Sequence, residues 1–202
     1  MKKYVLISQS LIYNKARNEL SDFIDIRLIN FFIKLNYIPI TISNFYNNPD
    51  FYLNSFRFSA IILTGGSDFG KFPRRDKLEN NLIKYSIRKK VPLIGICRGM
   101  QMINRFFNGR LIKIDHHVRD NHLIRDTKNN RTIMVNSYHN YAISEKKIHK
   151  DLLILFRCLK DSSIEAFKHR KYKILGIMWH PEREKTFKNY DKKLIKNFLN
   201  ND

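Results

Sequence analysis

The sequence is poor in residues that break regular structure and in residues that cross-link it. It contains only seven glycines, five prolines and two cysteines among 202 residues. Cys97 and Cys158 cannot form a disulfide framework, so we expect a reducing, cytoplasmic setting. No apolar run approaches the roughly 20 residues that cross a bilayer, and the run after Met1 is too short for a signal peptide. We therefore expect neither a membrane protein nor a disulfide-stabilised secreted domain.

Acidic residues are also scarce. There are 18 Asp and Glu against 38 Lys and Arg, which gives a formal net charge of +20. The basic residues are dispersed, with pairs as far apart as Arg88-Lys89 and Lys192-Lys193, and no zinc-finger or RNP-type motif accompanies them. We expect no nucleic-acid partner, although a non-enzymatic basic binding module stays a possible alternative. The 43% hydrophobic content excludes intrinsic disorder.

The apolar pattern of the first half predicts strands that alternate with helices. This pattern is typical of a parallel sheet covered on both faces. Strands are expected at residues 5–8, 38–42, 60–64, 91–96, 111–114, 132–135, 152–156, 164–167 and 174–178, and helices at 18–35, 76–90, 100–107 and 185–199. Pro39 indicates an edge or strand-start position for the second strand. We predict one α/β domain over residues 1–202, a three-layer αβα sandwich with a mostly parallel central sheet and a more meander-like second half.

One motif has the form of a nucleophile elbow. Gly95-Ile96-Cys97-Arg98-Gly99 lies where a buried strand meets a helix, and the flanking glycines leave room for a strained nucleophile. The positive end of the following helix favours a thiolate at Cys97 and offers main-chain N–H groups to an oxyanion. Cys158 lies inside an apolar run, and we interpret it as structural.

A thiolate nucleophile needs a base, and the base needs a partner that orients it. The strand at residues 174–178 is followed by Trp179-His180-Pro181-Glu182. The rigid Pro181 allows the Glu182 carboxylate to hold the His180 ring. Cys97, His180 and Glu182 are therefore the candidate catalytic residues.

These two motifs together resemble the class I glutamine amidotransferase superfamily, and within it the γ-glutamyl hydrolase branch, peptidase family C26. Three further blocks resemble that branch in the same order: Thr64-Gly65-Gly66-Ser67-Asp68, Arg75-Asp76 with Glu79, and Val135-Asn136-Ser137-Tyr138-His139. The resemblance covers about residues 60–183. It departs from the family at Asn140-Tyr141, where a further His or Gln is usual.

The resemblance implies a flavodoxin-like core, a Cys97–His180–Glu182 triad and an oxyanion hole formed by the N–H groups of Gly66 and Arg98. It also implies that Gln101, Ser137 and Tyr138 hold the ends of a γ-glutamyl group. The expected activity is hydrolysis of a small-molecule γ-glutamyl amide through a thioester, with no metal, cofactor or obligate synthetase. A glutaminase subunit that delivers ammonia to a separate synthetase is the alternative.

Two clusters outside these motifs carry further hypotheses. Lys71, Arg74 and Arg75 follow the Gly65-Gly66 pair and could hold a diphosphate of a nucleotide-linked substrate, unless Arg75 pairs with a neighbouring carboxylate. The segment at residues 115–122 contains His116, His117 and His122. We place it in a loop, at the surface or at the substrate entrance, and expect no metal there.

Overall fold

The computed structural model of the protein describes residues 3–46 and 48–200. The strands are β1 (Tyr4–Ser8), β2 (Ser10–Asn14), β3 (Glu19–Phe23), β4 (Ile38–Ile42), β5 (Phe58–Leu63), β6 (Leu93–Ile96), β7 (Ile112–Lys113), β8 (Val118–Asp126), β9 (Thr132–Tyr138), β10 (Tyr141–Ala142), β11 (Leu152–Cys158), β12 (Ile164–His169) and β13 (Ile174–Ile177). The helices are α1 (Ile26–Lys34), α2 (Asp50–Asn54), α3 (Pro73–Lys89), α4 (Arg98–Phe106) and α5 (Asn189–Asn200).

A nine-stranded sheet in the order β4-β1-β5-β6-β13-β12-β11-β8-β9 forms the centre of the fold. The first five of these strands run parallel, and the remaining four extend the sheet antiparallel. β4, which contains Pro39, lies at the edge, as predicted. The α/β sandwich is confirmed, and every predicted strand has a counterpart. The carboxyl ends of the parallel strands meet at one edge, where open α/β sheets place their sites.

Successive residues of the central strands point to opposite faces, and this builds two cores. Val5, Ile7, Ile94 and Ile96 pack on one face with Phe31 and Phe32 of α1 and Ile195 of α5. Leu6, Ile61 and Leu93 pack on the other face with Leu78 and Leu82 of α3 and Met100 of α4. The continuous apolar runs in the sequence reflect this burial on both sides.

The prediction of one helix over residues 18–35 is wrong. A hairpin of β2 and β3 precedes a shorter helix, α1, whose N-cap Asp25 accepts a hydrogen bond from the Arg27 N–H at 2.9 Å. Leu20 and Phe23 gave the helical spacing, yet both lie on the hairpin and are more than half exposed. Asn18, in the left-handed region with φ 52°, belongs to the hairpin turn. The three-to-four spacing was therefore fortuitous.

The prediction of a loop at residues 115–122 is also wrong, because β8 begins at Val118. The strand alternates between exposed and buried positions, and His122 and Ile124 occupy the buried ones. A histidine in an inward-facing position hides this alternation from an apolar count. His117 is buried as well, whereas His116 is exposed. The segment was expected to lie at the surface or at the substrate entrance, but these two histidines are buried.

The prediction of one domain over residues 1–202 stays a prediction, and its ends, residues 1–2 and 201–202, lie outside the described residues, as does Asn47. The last helix begins at Asn189, four residues later than residue 185. Among the residues that the structure describes, none of the helices is both long enough and apolar enough to cross a membrane.

Candidate active site

The elbow predicted at Cys97 is formed by the end of β6 and the start of α4. Cys97 is the N-cap of α4 and has φ 51° and ψ −107°, a conformation that side-chain-bearing residues rarely adopt. Its N–H donates to the Ile177 carbonyl at 2.8 Å, which ties the strained residue to β13. The side chain is 5% exposed. The turn therefore holds the thiol at the carboxyl edge of the parallel sheet.

Two glycines allow the chain to make this turn. A Cβ on Gly95 would lie 2.5 Å from the main chain of Gly99, and a Cβ on Gly99 would collide with the Leu63 main chain on β5. Real Cβ atoms do not approach backbone so closely, and main-chain atoms cannot move aside as a flexible side chain can. The flanking glycines of the elbow are thus required by packing against each other and against β5.

His180 lies three residues beyond β13 and faces Cys97. Its Nδ1 donates to Glu182 Oε1 at 2.6 Å, across a short turn that Pro181 begins. Its ring and the Cys97 side chain lie against the same glycine, since a Cβ on Gly65 would be 2.7 Å from His180 Cε1 and 3.6 Å from the Cβ of Cys97. The structure thus brings the three candidate catalytic residues together in one buried row.

The surroundings of His180 favour its protonated form. Burial alone would lower the pKa of His180, but the Glu182 carboxylate hydrogen-bonded to Nδ1 and the neighbouring Cys97 sulfur outweigh it. They raise the pKa of His180 to about 9. A protonated imidazole between a sulfur and a carboxylate can donate a proton to a leaving group at neutral pH.

Asn136 of β9 holds the main chain of His180. Its Oδ1 accepts the His180 N–H at 2.9 Å, and its Nδ2 donates to the His180 carbonyl at 2.9 Å and to Glu184 Oε1 at 3.0 Å. The sequence motif containing Asn136 was visible, but no role could be given to this side chain. A role would have required knowing that the ends of β9 and β13 approach each other.

The glycine loop after β5 lies over a buried arginine. Arg75 Nη2 donates to the carbonyls of Thr64 at 2.8 Å and Gly65 at 2.9 Å, Nη1 to Ser10 Oγ at 2.9 Å, and Nε to Glu79 Oε1 at 3.0 Å. The side chain is fully buried. The alternative reading of Arg75 is therefore correct: it pairs with Glu79 and supports the loop, and its donors do not point to a bound substrate.

Arg98 joins the same network from the start of α4. Its guanidinium group donates to Asp76 and to Glu79 of α3. Burial acts to raise the pKa of Glu79, but Arg75 and Arg98 outweigh it, so that the pKa lies below its usual value. Two basic side chains, Arg75 and Arg98, and two acidic ones, Asp76 and Glu79, therefore fix the glycine loop relative to the helix N-terminus by a buried, charge-balanced set of contacts.

A cavity of about 280 Å³ opens against His180, Glu182 and the glycine loop. Its other walls come from the β2–β3 hairpin, through Ser10 and Phe23, and from the first turn of α1. Gly66 lines the cavity and has φ +124°, a backbone conformation that residues with a side chain rarely adopt. The contribution of the hairpin to the cavity was missed, because β3 was assigned to a helix and β2 was not predicted.

The residues expected to bind substrate lie at different depths. Tyr138 stands against His180, with ring centroids 5.7 Å apart and Arg183 over its other side at 4.5 Å. Ser137 is fully buried, and its Oγ donates to the His117 carbonyl at 2.7 Å. Gln101 is buried one turn after the elbow, and its Nε2 donates to the Tyr141 carbonyl at 2.9 Å. Tyr138 contacts the candidate triad through its ring, and Gln101 contacts it through its main-chain N–H, which donates to the Cys97 carbonyl at 3.1 Å.

The remaining candidates lie apart from this centre. Arg74 is exposed, with its guanidinium group 5.0 Å from the Phe45 ring, and Lys71 is exposed beside Phe72. Cys158 is buried at the end of β11, and burial raises the pKa of its thiol to about 11. Such a thiol stays protonated and unreactive at neutral pH, which fits the structural role expected for Cys158.

Comparison with known proteins places this geometry in a family. A family model described as glutamine amidotransferase class-I matches residues 23–201, a range that includes Cys97, His180 and Glu182. The chain belongs to the class I glutamine amidotransferase family. Over 196 residues, this amidotransferase-family chain is 35% identical to the γ-glutamyl-CDP-amidate hydrolase of Campylobacter jejuni, and the match covers 92% of this chain and 93% of that protein.

Other members of the family match less of the sequence or only the fold. The arginine-specific carbamoyl phosphate synthase small chain of Bacillus subtilis is 34% identical over 99 residues, which are 48% of this chain and 28% of that protein. The structure of PurLQS from Thermotoga maritima superposes with a TM-score of 0.70 at 19% identity and covers 99% of both chains. Family membership and a relative named as a hydrolase support an amide hydrolase.

Proposed function

We propose that this protein hydrolyses γ-glutamyl amide bonds through a thioester on Cys97, and that its substrate is γ-glutamyl-CDP-amidate. The products would be glutamate and cytidine diphosphoramidate, a donor for capsule polysaccharide modification. The observation that carries the reaction is that Cys97 and His180 lie side by side against Gly65, with His180 Nδ1 2.6 Å from Glu182 Oε1. The substrate is supported by the identity to the C. jejuni hydrolase over nearly the full length of both chains.

In the first step the Cys97 sulfur attacks the γ-carbonyl carbon. A C–S bond forms, and the carbonyl π pair moves onto oxygen. We assign the oxyanion hole to the N–H groups of Gly66 and Arg98. This assignment is supported by the position of Arg98 as the first residue of α4, where main-chain N–H groups have no partner within the helix. Gly66 lines the cavity that also contains His180, on the loop whose carbonyls Arg75 holds.

In the second step the tetrahedral intermediate collapses and the C–N bond breaks. His180 gives its proton to the departing nitrogen, so that this nitrogen leaves as a neutral –NH2 group. Water then attacks the thioester carbonyl while His180 takes a proton from it, and the second intermediate collapses with cleavage of the C–S bond, which releases glutamate and restores the Cys97 thiolate beside a protonated His180. Glu182 stabilises the imidazolium and holds its orientation throughout.

The size of the cavity supports a division of the substrate between two regions. About 280 Å³ is near the lower end of ligand pockets and suits a glutamyl group, so a nucleotide would extend beyond it. Tyr138 and Gln101, which the family resemblance assigns to the glutamyl end, lie beside this cavity and not in its walls, with Ser137 fixing the end of β9 behind them. Since the donors of Arg75 are occupied, Arg74 and Lys71 remain for the diphosphate.

A substrate panel tests this proposal. Glutamate release is measured for glutamine, γ-glutamyl peptides, folyl polyglutamate, γ-glutamyl-GABA and γ-glutamyl nucleotide amidates, with the protein alone. We expect the nucleotide amidate to have the highest kcat/KM and Cys97→Ala to be inactive. Activity that Cys97→Ala leaves unchanged would exclude the thioester, whereas no glutamate release from any of these substrates would favour a non-enzymatic module.

The glutaminase-subunit alternative is favoured by the match to a carbamoyl phosphate synthase small chain. That function predicts slow hydrolysis of glutamine by the protein alone, with stimulation by a synthetase. Acid quenching followed by intact-mass measurement tests the mechanism separately. A glutamyl adduct that appears with the unmodified chain and is absent from Cys97→Ala is the result expected for the thioester.

A further inference from the structure

Metal-binding side chains from several strands meet inside the antiparallel half of the sheet. His117 immediately precedes β8, His122 lies on it, His139 follows β9, and Glu165 lies on β12; each is at most 3% exposed. One ligand atom each from His117, His139 and Glu165 lies within 4.8 Å of the others. The same holds for His117, His122 and Cys158 at the end of β11. These groups come from separate strands, so the fold and not local sequence assembles them.

The inward-facing atoms of this cluster lack hydrogen-bond partners. They are Nδ1 of His117, both ring nitrogens of His122, Nε2 of His139 and Oε2 of Glu165. His122 Nε2 lies 3.4 Å from Glu165 Oε2, but the geometry does not make a hydrogen bond. Burying polar atoms without partners is unfavourable, and several such atoms this close together indicate a missing ligand.

The outer ring nitrogens of His117 and His139 have partners, whereas neither ring nitrogen of His122 has one. His117 Nε2 lies 3.1 Å from Asp161 Oδ2, and His139 Nδ1 lies 3.0 Å from the Tyr141 carbonyl. A histidine that donates its outer N–H to a carboxylate or carbonyl directs the lone pair of its other nitrogen inward, which is the usual arrangement around a metal.

We propose that His117 Nδ1, His122, His139 Nε2 and Glu165 bind one Zn²⁺ ion. Three imidazoles and a carboxylate are a zinc ligand set, and four protein ligands in a buried position make a closed, structural site. Tetrahedral ligands about 2.0 Å from zinc lie about 3.3 Å from one another, so small side-chain movements from the present spacing suffice. Cys158 is left out of the set, because the other four ligands already complete a tetrahedral site.

From the sequence we expected no metal at this segment, since it was assigned to a loop. That expectation assumed that the histidines would lie on a loop, where the backbone does not hold ligands in fixed positions. The strand β8 and the outer hydrogen bonds supply the fixed backbone and support that a zinc site requires.

The proposed ion would fix the end of β9 behind the candidate active site. The His117 carbonyl accepts hydrogen bonds from Ser137 Oγ at 2.7 Å and from the His139 N–H at 3.1 Å. Tyr138 lies between these two residues and stands against His180. Zinc would therefore stabilise the segment that carries Tyr138 and take no part in the reaction, and the proposal does not depend on the proposed substrate.

The test is a zinc titration of the untagged, full-length chain carrying Cys97→Ala, so that the sulfur beside His180 cannot bind the metal. The protein is freed of metal with a chelator, and binding is followed by competition with a chromogenic chelator and by elemental analysis. We expect about one Zn²⁺ per chain. At free zinc near 100 times Kd, we expect Tm to rise by about 5–10 °C.

Two ligand variants and one matched control sharpen the assignment. In the same background, His117→Gln and Glu165→Gln should bind Zn²⁺ at least about 100-fold more weakly. His116→Asn should bind normally, because His116 is the exposed neighbour of His117 and Asn tolerates its φ of 62°. No zinc binding and no Tm shift in the Cys97→Ala chain would overturn the proposal, even where a ligand variant fails to fold. Undiminished binding by a folded Glu165→Gln chain would also overturn it.

Discussion

Asn136 and His180 are joined by two hydrogen bonds, both to the main chain of the histidine. Oδ1 of Asn136 accepts the His180 N–H and Nδ2 donates to the His180 carbonyl, each at 2.9 Å. The amide thus replaces the strand pairing that ends with Ile177 on β13. It fixes the backbone from which the candidate general acid projects, while Glu182 fixes the ring.

Asn136→Ala is therefore expected to displace the main chain of His180 and to lower the stability of the fold. It leaves two buried main-chain groups of His180 without partners, at a cost of about 1–3 kcal/mol each. Because a small displacement of a reacting group slows chemistry strongly, we expect kcat to fall by about 10–100-fold with KM nearly unchanged. Steady-state kinetics and Tm measure the two effects. A lower Tm with unchanged kcat would mean that Asn136 has only a structural role.

The pH profile should report the protonation of His180. Its folded-state pKa of about 9 lies above the usual value of 6.5, so its protonated form stabilises the fold fully below about pH 6.5. This contribution is lost as the pH rises from there through 9. We expect kcat/KM for the γ-glutamyl substrate to fall above about pH 9, since the neutral ring cannot protonate the leaving nitrogen.

Glu182→Gln provides the control for this assignment. Removing the carboxylate removes the largest contribution that raises the pKa of His180, so the alkaline limb should move to lower pH. The measurement is kcat/KM across pH 6–11 for both proteins, with about 2% residual activity sufficient to define the variant's limb. An alkaline limb at the same pH in both proteins would assign it to another group.

Arg74 and Arg75 are adjacent in sequence and should behave oppositely. Arg74 is exposed, and Arg74→Ala is expected to raise KM about 5–10-fold for a nucleotide amidate while leaving simple γ-glutamyl amides unaffected. Arg75 is buried in the loop network, and Arg75→Met should cost about 3–5 kcal/mol of unfolding free energy and impair every substrate. Equal losses on both substrate classes for Arg74→Ala would exclude a contact with the diphosphate.

The elbow and the strands around it could be predicted because their signals are local. Buried parallel strands give continuous apolar runs, and Gly95 and Gly99 flank Cys97 within five residues. The contacts that complete the site are not local. Asn136 and His180 are 44 positions apart, and Arg75 reaches Ser10 across 65. Which strand ends meet depends on sheet order and register, which one sequence does not specify.

The two wrong predictions share a physical cause. The β2–β3 hairpin stands off the main sheet with Ile12, Leu20 and Phe23 exposed, so its apolar residues follow no inward-facing pattern. In β8 the opposite occurs, because a buried position is filled by His122 instead of an apolar residue. Periodicity detects a segment only where burial and apolarity coincide. Burial and apolarity do not coincide in the hairpin beside the candidate active site or in β8 at the proposed zinc site.

Gly65 offers a substitution that should separate catalysis from folding. A Cβ at this position would lie 2.7 Å from Cε1 of His180 and 3.6 Å from the Cβ of Cys97. The clash is with a side-chain ring and not with backbone, so the ring can rotate away while the loop keeps its fold. Rotation breaks the alignment between His180 and Cys97, and we expect Gly65→Ala to lower kcat by at least about 100-fold.

The matched variant is Gly99→Ala, where the added Cβ collides with the Leu63 main chain, which cannot move without displacing β5. We expect that protein to lose several kcal/mol of unfolding free energy or to fail to fold, as overpacking against backbone predicts. Denaturant melts and kinetics on both variants decide the matter. Because Gly65→Ala should retain nearly normal stability, an active and stable Gly65→Ala protein would show that His180 need not occupy this position during the reaction.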